Sequence, residues 1–311
     1  MRNRTKFEKA IQTPGRFFMN LIYRFPAISK KIDDKEYLKF IYFFCFWKKL
    51  NLENPETFSE KLQWLKLYDR RDIYTKIVDK YLVKDYVENF IGLEYVIPTL
   101  GVWDRFEDID FDALPNQFVL KCTHDSGGLV ICKDKKELNI EMAKRKINKC
   151  LMRNFYYLGR EWPYKNVIPR IIAEPFISDK NGELKDYKFF CFSGTPRMLF
   201  IASDREIDTR FDFFDANFKH LPFTNGHANS EKSLEYPQQF EMMKRLAAIL
   251  SKNFPQIRVD FYNVDGKIYF GELTLFHFSG FVPYEPNFWD IEIGKWVELP
   301  QNRGLEGNGN D

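Results

Sequence analysis

Arg258, Asp260, Glu272 and Thr274 are the residues of this chain whose types and spacing point most directly to chemistry. They lie in Arg258-Val-Asp260-Phe-Tyr-Asn-Val-Asp-Gly-Lys-Ile-Tyr-Phe-Gly-Glu272-Leu-Thr274. Asp265-Gly266 separates two runs rich in Val, Ile, Phe and Tyr, the signature of a hairpin. A two-residue loop would send Asp260 and Glu272 to opposite faces, because side chains alternate along a strand. A three-residue loop, Val264 to Gly266 with Gly266 left-handed at a bulge, pairs 260 with 270 and 258 with 272. Arg258, Asp260 and Glu272 then share one face. This loop is the one expected, because only it gives the charges a common purpose. Two carboxylates on rigid strands suffice to hold Mg2+, which fills its other sites with water and phosphate oxygens. The plain alternative is a solvated strand face with an ion pair.

Four other stretches carry chemistry-bearing residues. Gln117-Phe-Val-Leu-Lys121 reads as a strand, Thr123-His-Asp-Ser126-Gly127-Gly128 as a turn, and Leu129-Val-Ile-Cys132 as the returning strand. Backbone N–H groups in a Gly-rich turn cradle phosphate oxygens, and Lys121 at the strand end reaches the same place. The turn lacks the GxxxxGK[ST] pattern and opens no helix, so an ordinary hairpin also fits. Ile172-Ala-Glu174-Pro-Phe176-Ile177 suits an adenine ring packed by Phe and Ile, its edge read by backbone groups. It equally suits a buried strand. Asp186-Tyr-Lys188 puts both charges on one strand face, the carboxylate for ribose hydroxyls and the lysine for phosphate. Asp108-Ile-Asp110 is a DxD, by which glycosyltransferases hold a metal and a nucleotide-sugar diphosphate. Here it precedes Ala-Leu-Pro-Asn, which reads as a connecting turn. No histidine has a second at metal spacing, which argues against zinc. His124 fits a phosphate donor, and His277 either a substrate-orienting or a structural role.

These positions need elements to hold them. Residues 1–95 read as mostly helical. Asn54-Pro55 opens one helix, and Thr57-Phe-Ser-Glu60 has capping-box spacing. A second helix is expected from about Asp72 to Phe90, ended by Gly92. From residue 117 strands alternate with helices over 137–158 and 237–253. Helices first, then strands with interspersed helices, argue for an α+β fold.

Composition narrows the class. The 311 residues are 44% hydrophobic and 29% charged, which is globular. Aromatics reach 17%, with 32 Phe, so the cores should be ring-rich. A net charge of +3 is too balanced to argue for nucleic acid, and no nucleic-acid partner is expected. Five scattered cysteines without a CxxC fit reduced thiols in the cytosol. No secretory signal is evident in the basic N-terminus. Phe40-Ile-Tyr-Phe-Phe-Cys-Phe-Trp47 is too short to span a bilayer. A helix packed on the main body is expected there. Peripheral contact of residues 1–50 with the inner face of a membrane is the other option.

Taken together, the order along the chain is strand-Lys, Gly loop, Glu-x-Φ-Φ (Φ an apolar residue), Asp-x-Lys, Arg-x-Asp and Glu-x-Thr. This order resembles the ATP-grasp superfamily, and most closely its TupA-like branch, named for teichuronopeptide biosynthesis. The resemblance spans about residues 54 to 285. It includes the phrases Asn54-Pro-Glu-Thr-Phe-Ser-Glu-Lys-Leu-Gln-Trp-Leu-Lys66, Val78-Asp-Lys-Tyr81, Leu114-Pro-Asn-Gln-Phe-Val-Leu-Lys-Cys-Thr-His-Asp-Ser-Gly127 and Gly271-Glu-Leu-Thr274.

The resemblance implies an ATP-grasp fold with a mostly helical N-terminal region. Residues 1–53 would be a basic, aromatic-rich helical segment and 54–115 a helical lead-in or substrate region. Residues 116–180 would form the small subdomain, 181–300 the large one, and 301–311 a disordered tail. ATP and Mg2+ are the implied cofactors. Lys121 looks like the lysine on the ATP phosphates, with Ser126, Gly127 and Gly128 in the loop above them. Glu174, Phe176 and Ile177 look like the adenine hinge, Asp186 like the ribose ligand, and Lys188 like a basic residue facing phosphate or substrate. Asp260 and Glu272 look like the Mg2+ carboxylates, with Thr274 at the edge where many relatives have Asn. Arg258 looks like the arginine that steadies the transferred phosphoryl group, making it and Lys188 the catalytic pair. The implied reaction is carboxylate–amine ligation through an acyl-phosphate. Within this branch, an amino acid or amine would be joined to a uronic-acid sugar of a surface polysaccharide. The usual N-terminal α/β substrate domain is not evident. Arg197, Arg205 and Arg210 would suit an acidic sugar or be surface charges.

Overall fold

The computed structural model describes residues 14–125, 127–180, 184–203, 209–231 and 234–301. Ser126, Arg205, residues 181–183 and nearly all of the expected 301–311 tail lie outside the described residues.

The N-terminal part is helical for local reasons. In α1 (Pro14–Tyr23) and α2 (Asp34–Phe46), the apolar residues Met19, Leu38 and Ile41 are buried between the helices and the body. The Asp33 carboxylate caps α2 by accepting from the N–H groups of Lys35 and Glu36. Thr57 and Glu60 form both halves of a capping box at α3 (Phe58–Tyr68), satisfying N–H groups left over at a helix start.

The single helix expected over 72–90 is two. They are α4 (Asp72–Val78) and α5 (Val83–Ile91). Asp79 makes the break. Its carboxylate accepts from the N–H of Tyr81 at 2.8 Å and of Leu82 at 3.1 Å, which offers the backbone a turn in place of helical bonds. Arg170 pins the turn by donating to Asp79 at 2.9 Å. Lys80 therefore leaves from a turn and Lys84 from a helix.

Two antiparallel sheets follow. The smaller has the order β1-β4-β2-β3, made of Gly101–Trp103, Ile171–Pro175, Phe118–Cys122 and Leu129–Cys132. Along β2, Phe118, Leu120 and Cys122 are buried in the core shared with Ala143, Ile147 and Cys150 of α6 (Ile140–Leu151). Alternation turns Lys121 the other way, into the space between the two sheets.

The larger sheet has the order β11-β10-β5-β6-β7-β8. Its strands are Lys267–Thr274, Ile257–Val264, Asp186–Phe192, Thr195–Ser203, Arg210–Asp215 and His220–Leu221. One face lies under α7 (Phe240–Ser251), where Phe240 packs on Phe189. Phe58 of α3 packs on Phe190 and Phe192 from the opposite face. The ring-rich core anticipated from the phenylalanine content is found here. A short ladder joins β9 (Thr224–Asn225) to β12 (Tyr284–Glu285), and α8 (Phe288–Gly294) follows it.

The hairpin closes differently from the expected three-residue loop. Val264 pairs with Lys267, so the loop is Asp265-Gly266 alone. Both residues have positive φ, 50° and 86°, as a type I′ turn requires. Asp260 and Glu272 nevertheless share a face, because Gly271 is an extra residue. Phe261 pairs with Phe270, but Asp260 pairs with Glu272 and Arg258 with Thr274. The bulge restores the parity that the two-residue turn would have lost. A Cβ on Gly271 would lie 3.1 Å from the Asp260 carbonyl oxygen, so the crowded bulge favours glycine.

Candidate active site

Arg258, Asp260, Glu272 and Thr274 converge on the face of the large sheet that looks toward the small one. Arg258 Nε and Nη2 donate to the two Asp260 oxygens at 2.7 and 2.8 Å. Nη2 also donates to Glu272 Oε1 at 2.6 Å and to Thr274 Oγ1 at 3.0 Å. Thr274 in turn donates to Glu272 Oε1 at 2.9 Å. From the neighbouring strand β5, Lys188 pairs with Asp186 at 2.7 Å and with Asp260. The structure brings these six residues together on one face of the large sheet.

The cluster is close to charge balance, and each group is shifted accordingly. Burial pushes Asp260 up to about 6, while Arg258 and Lys188 pull it down, so it is ionised at neutral pH. Burial opposes the charge on Lys188, but Asp186 and Asp260 outweigh it and hold the ammonium raised. Glu272 is half-exposed at the cleft, and its partial desolvation is outweighed by the neighbouring Lys188 and Arg258 charges, which hold its carboxylate below the usual range.

His277 completes the cluster and has a structural role. Arg258 Nη1 approaches its Nδ1 at 2.8 Å, and Asn225 Oδ1 lies 3.0 Å from its Nε2. Asn225 Nδ2 donates to the Val282 and Pro283 carbonyls, so its oxygen is the side facing the ring. Nδ1 must then accept from the guanidinium, and Nε2 carries the proton. Burial and the adjacent Arg258 and Lys188 charges push its pKa well below the ordinary value.

The loop behind His277 is held by a buried lysine. Phe278, Ser279 and Gly280 all have positive φ. Lys66 of α3 donates to the Ser279 and Gly159 carbonyls, each at 2.7 Å, and to Gln63 at 2.9 Å. Burial lowers Lys66 to about 7 and raises its charge partner Glu161 to about 7. Lys66 ends the family-like stretch 54–66, and only its long-range partners reveal its part in this support.

Across from the cluster lies a cleft of ≈ 190 Å³. Tyr262, Phe270, Gly271 and Glu272 form the ribbon side, and Lys121, Gly128 and Leu129 the flap side. Glu174, Lys80, Lys84, Val96 and Ile97 complete the wall with Asp125. Glu174 bridges two lysines, Lys121 through Oε2 and Lys84 through Oε1 at 2.6 Å. Burial opposes its ionisation, but these lysines hold it lowered. Lys84 also donates to the Ile97 carbonyl and the Thr99 hydroxyl at 2.8 Å, and Lys80 to the Asp125 carbonyl at 2.7 Å. Lys80 and Lys84 were given no role by the sequence reading. Their spacing of four residues was the available signal.

Other assigned positions are placed less directly. Phe176 and Ile177 follow β4 half-buried, Phe176 receives Lys133 at 5.8 Å from its ring, and neither lines this cleft. Gly127 donates to Asp125 Oδ1 at 2.9 Å. Gly128 answers to packing: a Cβ there would lie 2.4 Å from Cys122 Sγ and 2.6 Å from Cys150 Sγ. His124 faces the Cys150 and Arg153 carbonyls, a buried structural role. Arg210 pairs in register with Ser203, on the face opposite Lys188, and Arg197 is exposed at the bulge of β6. In the DxD, Asp108 is ion-paired to Arg105, and the Asp110 carboxylate accepts from the N–H groups of Asp112 and Ala113. Both acids serve local turns.

The donor set fits Mg2+ in one specific way. Asp260, Glu272 and Thr274 offer hard oxygens on one face. Among the described residues, no group of three or more His, Cys, Asp or Glu would hold a metal by itself. Phosphate oxygens would have to complete the shell, which is how Mg2+ sites at nucleotides are usually built.

The TupA-like ATP-grasp family model matches residues 60–298. The chain belongs to that family. Its α+β fold is accordingly that of a TupA-like ATP-grasp protein. The chain is also similar to solved ATP-grasp structures. D-alanine–D-alanine ligase from Bacillus anthracis is 19% identical, with 64% of this chain and 57% of that one covered, at a TM-score of 0.39. The Helicobacter pylori D-alanine–D-alanine ligase is 15% identical, with 78% and 67% covered, at 0.42. The ligase PsnB, in complex with a minimal precursor, Mg and ADP, is 13% identical, with 70% and 57% covered, at 0.40. The chain thus spans little more than half the length of the first of these. No curated protein sequence matches the TupA-like chain.

Proposed function

We propose that this TupA-like protein is an ATP-dependent carboxylate–amine ligase that forms an amide through an acyl-phosphate. What supports this reading is one juxtaposition: Glu272, bonded to Arg258 and paired in register with Asp260 behind it, faces Lys121, Lys84 and Lys80 across a single cleft. A carboxylate attacking the γ-phosphate of ATP brings two negative groups together. Catalysis of such a step is mainly positioning and charge neutralisation.

Each residue has a role in that scheme. Lys80, Lys84 and Lys121 bind the phosphates. Glu174 fixes the latter two lysines at the cleft wall. Arg258, oriented by Asp260 and His277, steadies the transferred phosphoryl group and the acyl-phosphate. Lys188 faces phosphate or substrate. Asp260 and Glu272 hold Mg2+, with Thr274 at the edge. Bound Mg2+ supplies charge neutralisation at the phosphates. The amine then displaces phosphate from the acyl-phosphate, giving the amide, ADP and inorganic phosphate.

The finer substrate reading is an amino acid or amine joined to a uronic-acid sugar, or to an intermediate, of a capsular or other surface polysaccharide. The test is ADP release measured with uronic acids crossed against amino acids, with mass detection of the conjugate. ADP release that needs both substrates, with a product lighter than their sum by one water, is expected. Release of UDP from a sugar donor without ATP turnover would overturn the ligase in favour of a glycosyltransferase.

A further inference from the structure

We propose that the α1–α2 pair docks this protein on the surface of an anionic lipid bilayer. The inference does not rest on the ligase reading. It starts from a helix that is apolar on two sides. The inner side of α2, Tyr37, Leu38 and Ile41, is buried with Met19 and Phe281. Its outer side carries Phe40, Phe43 and Phe44, with Trp47 just past its end. These rings join Phe17 and Phe18 of α1 in one continuous cluster of edge-to-face and tilted contacts, with centroids 4.8 to 5.8 Å apart.

This outer cluster is open. Trp47 is 65% exposed, Phe17 49%, Phe40 43% and Phe43 40%. Apolar patches of this kind on a soluble surface mark an interaction site. The pair is also fixed to the body, so the rings are presented on a firm base. Tyr37 donates to the Leu158 carbonyl at 2.6 Å, and Arg160 donates to the Ser29 carbonyl at 2.6 Å.

Charge identifies the occupant. Residues 1–50 hold 12 of the 47 Lys and Arg residues and 4 of the 44 Asp and Glu residues, a net +8. The remaining 261 residues are therefore net −5. The chain is nearly neutral only because a basic arm offsets an acidic body. Arg16, Lys48 and Lys49 are exposed next to the rings in sequence, and Lys39, paired with Glu36, adjoins Phe40. Aromatic rings that enter the headgroup layer, bordered by lysine and arginine, are how proteins lie on anionic membranes. A second copy of this chain would bring +8 against +8. No helix among the described residues is long and apolar enough to cross a membrane, so the contact is with the surface.

The test uses the full chain and vesicles of phosphatidylcholine, with or without an equal part of phosphatidylglycerol. Flotation with the anionic vesicles, weakened by high salt, is expected. Trp47 fluorescence should be quenched by brominated lipid, and Trp47→Phe should remove that quenching. The combined change Phe40→Ser, Phe43→Ser, Trp47→Ser should lower partitioning at least about tenfold. Each of Lys48→Gln and Lys49→Gln should lower it about fivefold. All variants should keep the wild-type far-UV circular dichroism and a cooperative unfolding transition, since the substituted side chains are exposed. No flotation with either vesicle would overturn the proposal. So would equal binding to neutral vesicles at high salt, or a concentration-dependent dimer that the triple variant abolishes.

Discussion

Asp260 lies directly opposite Glu272 because Gly271 is an extra residue in its strand. The placement of this carboxylate pair is thus set by a bulge, and the bulge should be sensitive. In Gly271→Val the side chain would press on the Asp260 carbonyl at 3.1 Å and on the Tyr262 ring at 3.3 Å. We expect a loss of about 1–3 kcal/mol in stability, the usual cost of overpacking. Turnover of Mg-ATP should fall further than thermal stability does. Unfolding curves alongside ADP release check both.

The two carboxylates should fail in different ways. Asp260 is buried and binds Arg258 and Lys188. Asp260→Ala removes the anion shared by two buried cations and leaves Arg258 to Glu272 and Lys188 to Asp186, at a cost of about 3 kcal/mol, the lower end for breaking a buried pair. The Glu272 carboxylate is 43% exposed, so Glu272→Ala should melt near the wild type. Both should lose ADP release by at least about 100-fold, as when a preorganised charge is removed. Wild-type turnover in both would sink the metal assignment.

His277 gives the site a pH dependence with a definite sign. Its folded-state pKa lies below the unfolded value of 6.5. The unfolded chain therefore binds the extra proton first as pH falls. Stability from this group is full above 6.5 and is lost progressively below it. Asp260, raised to about 6, works in the opposite direction at lower pH. The comparison to make is wild type against His277→Gln, whose unfolding free energy should fall less between pH 7 and pH 5.

Gly127 and Gly128 should separate cleanly. A Cβ at Gly127 meets nothing nearer than 3.7 Å, and at Gly128 it collides with both Cys122 and Cys150. Gly127→Ala should keep the melting temperature. Gly128→Ala should lower it by the equivalent of about 1–3 kcal/mol. Calorimetry decides, and equal melting of the two variants would refute the packing account.

Lys66 offers a double-mutant test of the loop that supports His277. Lys66→Met takes the shorter of two donors from each of the Gly159 and Ser279 carbonyls and leaves Glu161 without its charge partner. A loss of about 3–5 kcal/mol is expected. Adding Glu161→Leu should recover part of it, measured by denaturant unfolding.

Much of this site was legible because strand alternation is strict. Arg258, Asp260, Asp186 and Lys188 needed only the period of two. The route to Glu272 was misread because a glycine bulge changes parity and leaves no distinctive composition, whereas Asp-Gly announces its own turn. The break at Asp79 was hidden for a related reason. Ile73, Ile77 and Tyr81 keep helical spacing across it, and only the Asp79 carboxylate and Arg170, ninety-one residues later, reveal the turn. Lys84 and Lys66 stayed invisible because long-range partners decide their roles.

The turn at Asp79 also has a bearing on where the molecule can be cut. Lys80, Lys84, Val96 and Ile97 all precede residue 116, yet they stand in the same wall as Lys121 and Glu174. A fragment starting at 116 would keep floor and roof but lose the back of the chamber, and Glu174 would face one ammonium in place of two. The helical lead-in is thus an integral partition of the lysine-lined cleft, and swapping it for another protein's domain would dismantle the cleft itself.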